Sequence, residues 1–540
     1  MLLRDNAGHR RQSSSRRQPR SDARRPTQPH LFSHAQAAGY PLPLCYPLYF
    51  QCLCVHFLLL AITESRAQEA AVSGFQLTGD LRIACPAIFE FHKIYVTNYV
   101  VADVIVFGTF GPSWADEASG FRSKSMPALR FCFCALLGLL TAGASARAQN
   151  FTQNLIHTFT MSPDGAGPNP IFRDAQGNLY GTTTSGGLSS CQNGGGAGCG
   201  IVFEVSSSGE YSVLYSFKGN LDGNTPVAGV TQDAAGNLFG TTGGGNGGFG
   251  TVFELDTSGN ETPLHLFSAF QGGRYPNTTP TLDASGNIYG TTYYGGDSNC
   301  GSNGNGCGLV YEVSATRQFS VLHTFTSIND GIQPVGTLAI DSEGNLYGLT
   351  AQGGDLTCAQ LGCGTIYEVA KNGKFTVLYQ FTGKTDGSYP GCITPDGSGG
   401  LYGVTGEGGD LGCGFYGCGT IFTIDRRGGF KTLYAFTPIF PNNEGSSCPI
   451  RDAHGNLYGT HGADTGAHSG GYVYQLNTQG KYTDIFDFPI IESPLGSDPS
   501  GVVLSPNGVF YGTAVLGGDT QCGVENSGCG TVYSLTLSAR

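Results

Sequence analysis

An aromatic residue followed by glycine recurs seven times between residues 180 and 512: Tyr180-Gly181, Phe239-Gly240, Tyr289-Gly290, Tyr347-Gly348, Tyr402-Gly403, Tyr458-Gly459 and Tyr511-Gly512. Successive glycines stand 59, 50, 58, 55, 56 and 53 residues apart, so the unit is about 55 residues long. A unit of that size is one supersecondary motif, which buries its apolar surface only against its neighbours. The repeat therefore outranks the chain length of 540 residues as a guide to domain organisation.

The third unit shows the grammar. Pro280-Thr281-Leu282 leads into Asp283-Ala284-Ser285-Gly286-Asn287, then Ile288-Tyr289-Gly290-Thr291-Thr292, a glycine-rich loop ending at Gly308, the run 309–313, a short turn and the run 319–325. These are four β-rich runs, a to d, each bounded by turn chemistry. The Asp-x-x-Gly-Asn stretch recurs at Asp174, Asp233, Asp283, Asp341 and Asp452. Aspartate bonds its own turn backbone and glycine supplies the positive φ of a hairpin, which makes this stretch the a–b turn. Runs such as 251–255 (TVFEL) are apolar on both faces, as a sheet sandwiched between two others requires. No long apolar run at helical spacing occurs in residues 150–540.

Four antiparallel strands repeated seven times predict an all-β, seven-bladed β-propeller. Run c occurs seven times and ends with 531–535, after which no run d follows. The missing run is expected at 151–159, which matches 319–325 and 375–381. An N-terminal strand completing the last blade would close the ring and leave that blade no open edge.

The repeat resembles the GloVer-type tandem repeat of bacterial choice-of-anchor exported proteins. Gly177-Asn178-Leu179-Tyr180-Gly181-Thr182-Thr183 and Gly250-Thr251-Val252-Phe253-Glu254-Leu255 carry the resemblance, which extends over nearly all of residues 150–540. It implies an exported repeat protein and brings no catalytic residue with it. The C-terminal stretch 534–540 shows no anchor of the kind the anchored members carry.

Charge divides the chain. Residues 1–148 carry 15 Lys+Arg against 9 Asp+Glu, whereas residues 149–540 carry 13 against 31, a net of −18. So acidic a repeat region argues against a nucleic-acid partner. Met126, Arg130, the apolar run 131–140 and Ala144-Ser145-Ala146-Arg147-Ala148 read as a secretory signal peptide over 126–148. Cleavage is expected after Ala148, with translation beginning at Met126 and residues 1–125 either an over-extended start or a disordered arm. On the disordered-arm alternative the apolar stretch 42–62 raises one membrane span, which two prolines and Gln51 interrupt. The mature chain from Gln149, with no long apolar run at helical spacing, is expected to have none. The expectation is a secreted, periplasmic or cell-surface monomer.

Twelve of the 18 cysteines lie in the repeats, and ten form close pairs: Cys191/Cys199, Cys300/Cys307, Cys358/Cys363, Cys413/Cys418 and Cys522/Cys529. Each second cysteine directly precedes the glycine that opens run c. The b–c loops with a pair measure 19, 18, 16, 16 and 18 residues between those two landmark glycines, against 10 and 12 for the loops without one. The long loops are the stapled ones. In an exported protein these are disulfides, each stabilising by roughly 2–2.5 kcal/mol in the chain-entropy treatment. A metal centre needs convergent ligands, and these pairs sit on separate blades. Cys392 and Cys448 occupy equivalent positions in adjacent units, where an inter-blade bridge demands close strands.

Little remains for chemistry. Glu204, Glu254, Glu312 and Glu368 share one position on run c, which keeps them too far apart for a glycosidase pair. His157, His265 and His323 share a run-d position held elsewhere by tyrosine, so they read as packed aromatics. In the sixth unit the short, cysteine-free b–c loop holds His461, Asp464 and His468, with His454 nearby, and these are weak candidates for a metal, at a spacing that matches no known motif. No catalytic set, cofactor motif or phosphate-binding loop is present. In a propeller the b–c and d–a loops share one face, so the stapled loops join Asp164-Gly165, Asp222-Gly223, Asp330-Gly331 and Asp386-Gly387 there. That face is the expected recognition surface. The sequence thus reads as a non-enzymatic exported propeller binding an extracellular protein or glycan. The alternatives are a hydrolase or lyase working at the central channel, and a structural envelope or matrix component.

Overall fold

The computed structural model describes residues 151–538, apart from 192–196, 246, 269–271, 301–303, 410–416, 438–446, 463–469, 490–492 and 523–526. Residues 1–125, the expected leader at 126–148, Cys413, Asp464 and His468 lie outside the described residues. Seven antiparallel sheets make a seven-bladed β-propeller. Blade 4 is typical, with strand a at Ile332–Ile340, b at Leu346–Gln352, c at Thr365–Val369 and d at Phe375–Gln380. Blade 7 takes a, b and c from Ser497–Leu504, Phe510–Leu516 and Thr531–Leu537, and its outer strand d from Phe151–Thr158 at the other end of the chain. That strand pairs antiparallel with Thr531–Leu537 from Phe151↔Leu537 to Thr158↔Thr531, so the ring is closed. No helix of the described residues is long and apolar enough to cross a membrane.

The aromatic-Gly repeat has a packing cause. A Cβ added at Gly181 would stand 2.5 Å from the ring of Phe203 on strand c, and the other six glycines meet Phe253, Tyr311, Tyr367, Phe422, Tyr474 and Tyr533 in the same way. A strand-c ring lies across each strand-b glycine, and only a residue without a side chain lets it do so. These seven rings are fully buried and form the centre of each blade.

The Asp-x-x-Gly-Asn turns are closed networks. Asp341 Oδ1 accepts the amides of Glu343 and Asn345, both at 2.9 Å. Its Oδ2 accepts Asn345 Nδ2 at 3.0 Å and the Tyr347 hydroxyl at 3.1 Å. Asn345 Oδ1 in turn accepts the Lys371 amide of the c–d turn at 3.1 Å. Burial raises the Asp341 pKa, but these donors outweigh it and hold the carboxyl below its ordinary value. Tyr180, Tyr289, Tyr347 and Tyr458 of the motif thus tie strand b to the turn, while the residue after the glycine ties blade to blade. Thr182, Thr241, Thr460 and Thr513 donate to carbonyls of the next blade's strand a, at Ala228, Thr278, Pro499 and Asn169.

A stack of rings runs round the outer rim. His157 lies 3.5 Å from Tyr211 of the next blade, His265 3.6 Å from Phe319 and His323 3.6 Å from Phe375, all nearly parallel. Tyr379 on Phe430 and Tyr434 on Tyr482 continue the pattern. The stack is interrupted where strand d carries no aromatic in this register, at Glu261 of blade 2 and Gln153 of blade 7.

Candidate functional site

The glycine that opens strand c sets the loop face. A Cβ on Gly200, Gly250, Gly308, Gly364, Gly471 or Gly530 would strike a proline of the following blade, respectively Pro226, Pro276, Pro334, Pro390, Pro499 and Pro168. The residue before each proline donates its amide to the carbonyl just ahead of that glycine. Thr225 bonds Cys199, Tyr275 bonds Phe249, Gln333 bonds Cys307, Tyr389 bonds Cys363, Asp498 bonds Gly470 and Gly167 bonds Cys529. Proline on one side and the carbonyl on the other hold these six residues left-handed, with φ of 53° at Thr225, 60° at Tyr275, 61° at Gln333, 54° at Tyr389, 59° at Asp498 and 62° at Gly167. A non-glycine residue there costs about 1–2 kcal/mol, and a following proline disfavours it further. The outcome is a rim of side chains in enforced conformations around the loop-face mouth of the channel. Four of the six carbonyls belong to cysteines, so each staple also fixes the neighbour's rim residue.

Blades 3 to 5 make this rim aromatic. Tyr275 and Tyr389 are 44% and 43% exposed. The Tyr293 hydroxyl donates to Gln333 Oε1 at 3.1 Å. Burial, then a hydrogen bond with Tyr389, pushes the Tyr293 phenol well above its ordinary pKa. Tyr294 meets Tyr293 edge-on at 4.7 Å, and the Arg274 guanidinium lies 5.2 Å from the Tyr294 ring while donating to Asn305 Oδ1. Beside them a cavity of about 80 Å³ is lined by Tyr294, Asn305, Ile332, Gln333, Gln352 and Leu361.

A larger cavity of about 320 Å³ lies on the opposite face between blades 4 and 5, against Asp341, Tyr347, Pro395, Leu401 and Arg426. Its charged groups are committed to one another: Arg426 reaches Glu343 at 2.9 Å and Asp341 at 3.8 Å. Size favours this hollow, but the polar groups lining it are already engaged in the turn network. The smaller cavity is lined by the half-buried Tyr294, and its Gln333 is joined through Tyr293 to the exposed Tyr389.

The residues singled out in the sequence separate along the same line. Glu204 accepts the Tyr180 hydroxyl and Glu254 pairs with Arg317, one carboxylate per blade. His157 and His323 pair with Asp164 at 3.0 Å and Asp330 at 3.4 Å, while His265 has Gly272 where those blades have the aspartate. Burial pushes His265 down to about 4. His461, expected in a loop, is instead the last residue of strand b in blade 6 and is buried. It fills the position of the second threonine of the repeat, between Phe436 and Tyr472. Among the described residues no three His, Cys, Asp or Glu side chains come together as a metal group would need.

Cys191–Cys199, Cys300–Cys307, Cys358–Cys363 and Cys522–Cys529 are bonded, with Cα separations of 5.9, 5.4, 6.0 and 5.4 Å. Cys418 is disulfide-bonded as well. Cys392 and Cys448 join blades 5 and 6 at a Cα separation of 5.4 Å. The rim residues and Tyr293 escaped the sequence reading. Their signal is an X-Pro dipeptide in register in six repeats, with X changing from glycine to threonine, tyrosine, glutamine, tyrosine and aspartate.

Solved structures of similar fold include virginiamycin B lyase from Staphylococcus aureus, at 14% identity and a TM-score of 0.46 over 72% of this chain and 100% of that one. A gluconolactonase from Xanthomonas campestris aligns at 13% identity and a TM-score of 0.36, over 74% of this chain and 93% of its own. Among curated proteins none matches. The profile of the Gloeobacter/Verrucomicrobia repeat matches residues 144–303 and 301–461, together more than half of the sequence, and the chain belongs to that repeat family.

Proposed function

We propose that this protein is an exported, non-enzymatic binding propeller whose recognition surface is the disulfide-braced loop face. The observation that carries the reading is the strained rim. Five non-glycine residues held at positive φ form a costly arrangement that sheet pairing does not need, and such strain concentrates at ligand-binding sites. Four staples place the carbonyls that hold the rim, and tyrosines stand exposed on it. The strand-a residues that follow the prolines are Asn169, Val227, Asn277, Val335, Gly391 and Ser500, with no carboxylate, histidine or lysine among them. That composition suits a passive channel better than a catalytic one. The disulfides fit an oxidising, extracytoplasmic compartment.

The test is a glycan-array and pull-down screen of the protein run beside a broad hydrolase panel. Wild type is compared with Tyr275→Ala/Tyr389→Ala on the loop face and Arg426→Ala on the turn face. Binding is expected to be lost in the first variant and kept in the second. Turnover abolished by a single change in the channel, or binding indifferent to both tyrosines, would overturn the reading.

A further inference from the structure

We infer that the loop-face mouth at blades 3 to 5 takes a neutral, N-acetylated oligosaccharide; the inference rests on the loop-face reading above and gives it a ligand class. Three properties of the site lead there. Tyr275 and Tyr389 offer exposed rings on backbones fixed by a following proline and an inter-blade hydrogen bond. Rigid phenol faces of this kind stack against the apolar C–H faces of sugar rings while their hydroxyls meet sugar hydroxyls, at little entropic cost.

Charge selects a neutral ligand. A cationic one would meet the Arg274 guanidinium, which already lies over Tyr294 and bonds Asn305. A polyanionic one would approach a region of net charge −18, which repels it before contact. Apart from Arg274, the polar groups named at this mouth are phenols and side-chain amides, which exchange hydrogen bonds with uncharged donors and acceptors.

The adjoining cavity selects the substituent. Its volume of about 80 Å³ is several times the roughly 10–15 Å³ that a single water needs. One part of its wall is apolar, from Ile332 and Leu361, and another is amide, from Asn305, Gln333 and Gln352. A sugar hydroxyl would leave the apolar part unfilled. An acetamido group sets its methyl against Ile332 and Leu361 and its carbonyl and N–H against the amides.

Calorimetric titration tests this with the β-1,4-linked tetramer of N-acetylglucosamine, the corresponding glucose tetramer and the de-N-acetylated tetramer. The proteins are wild type, Tyr389→Ala and Gln352→Leu, each checked for an unchanged unfolding transition. Wild type is expected to bind the acetylated tetramer at least about tenfold more tightly than either of the others. Tyr389→Ala should weaken that binding by about tenfold or more, and Gln352→Leu should lower the preference for the acetylated tetramer to about threefold or less. Absence of binding, equal affinity for the glucose tetramer, or affinity unchanged in Tyr389→Ala overturns the inference. If no sugar binds but a captured protein is retained only when Tyr275 and Tyr389 are present, the glycan inference falls and the loop-face reading stands. If nothing that binds depends on these tyrosines, both fall.

Discussion

The two faces of the ring are built from the same repeats and spend their polar groups in opposite ways. On the turn face each aspartate satisfies its own hairpin, Asn178, Asn287 and Asn345 reach the neighbouring turn, and Arg426 closes the gap between blades 4 and 5. Every such group is used to define the fold, so the same residues return in unit after unit. On the loop face the backbone carries the regularity, through proline, glycine and the cysteine carbonyl. The side chain at each rim position is then free to vary. The lesson is that sameness of residue marks structure here, while sameness of backbone with changing residue marks the surface available for recognition.

The largest expected effect concerns what both faces share. Deleting residues 151–158 removes the outer strand of blade 7 and leaves Thr531–Leu537 as an open edge. The cooperative unfolding transition should be lost or the chain should aggregate. A monomeric deletion variant with an intact transition would show that the ring does not depend on its closure.

Next comes Asp341→Ala, which strips the turn of an acceptor for four donors and takes from Arg426 the more distant of its two carboxylate partners. A loss of about 2–4 kcal/mol is expected in urea unfolding, since several charge-assisted bonds go and their donors are left unmatched. Ligand binding at the loop face should be unaffected. A binding defect larger than the stability defect would break the division between the faces.

The outer rim joins the faces, and at blade 2 it carries two opposed pH responses. Burial, then the Asp222 charge, raises Glu261 to about 8 from 4.5. The folded chain therefore keeps a proton that the unfolded chain has released, so this contribution is full below pH 4.5 and declines as pH rises toward 8. His265 is lowered from 6.5 to about 4, so its contribution is present above pH 6.5 and declines as pH falls toward 4. The two slopes oppose each other in mildly acidic solution, and the Glu261 decline acts alone from pH 6.5 to 8. Glu261→Gln should flatten the stability profile in that window. Denaturant midpoints at pH 6.5 and 8 check it, and an equal decline in both proteins would exclude Glu261 as the cause.

Much of this was legible in the chain. The strands, the a–b turn and the closing strand at 151–158 follow from patterns that repeat in register, because each is written in residue identity. The reason for the aromatic-Gly pair was not, since Phe203 lies across Gly181 from another strand and sequence spacing carries no such contact. His461 was read as part of the short b–c loop that follows Gly459, yet the pairing of Thr460 with Val473 and of His461 with Tyr472 keeps it on strand b. The rim stayed hidden for a deeper reason. Threonine and tyrosine before proline argue for extended backbone, and two inter-blade contacts, the proline seated on the strand-c glycine and the amide bonded to the carbonyl before it, reverse that preference.

Thr225 therefore provides the finest test of the division. It is β-branched, precedes Pro226 and sits at φ 53°, while Gly167 fills the equivalent place in blade 1 at φ 62°. If the rim conformation is imposed by the proline and the Cys199 carbonyl, Thr225→Gly keeps the hydrogen bond and removes the steric cost. Glycine gives back part of that gain through the greater freedom of its unfolded chain. A net stabilisation of up to about 1 kcal/mol is expected, read as a higher denaturant midpoint at unchanged slope. Gly167→Thr should lose more than that, since its Cβ would also stand 2.6 Å from Thr184 Oγ1. A loss in both variants would mean that the threonine side chain itself holds the rim, and the loop face would then be built from residue identity as the turn face is.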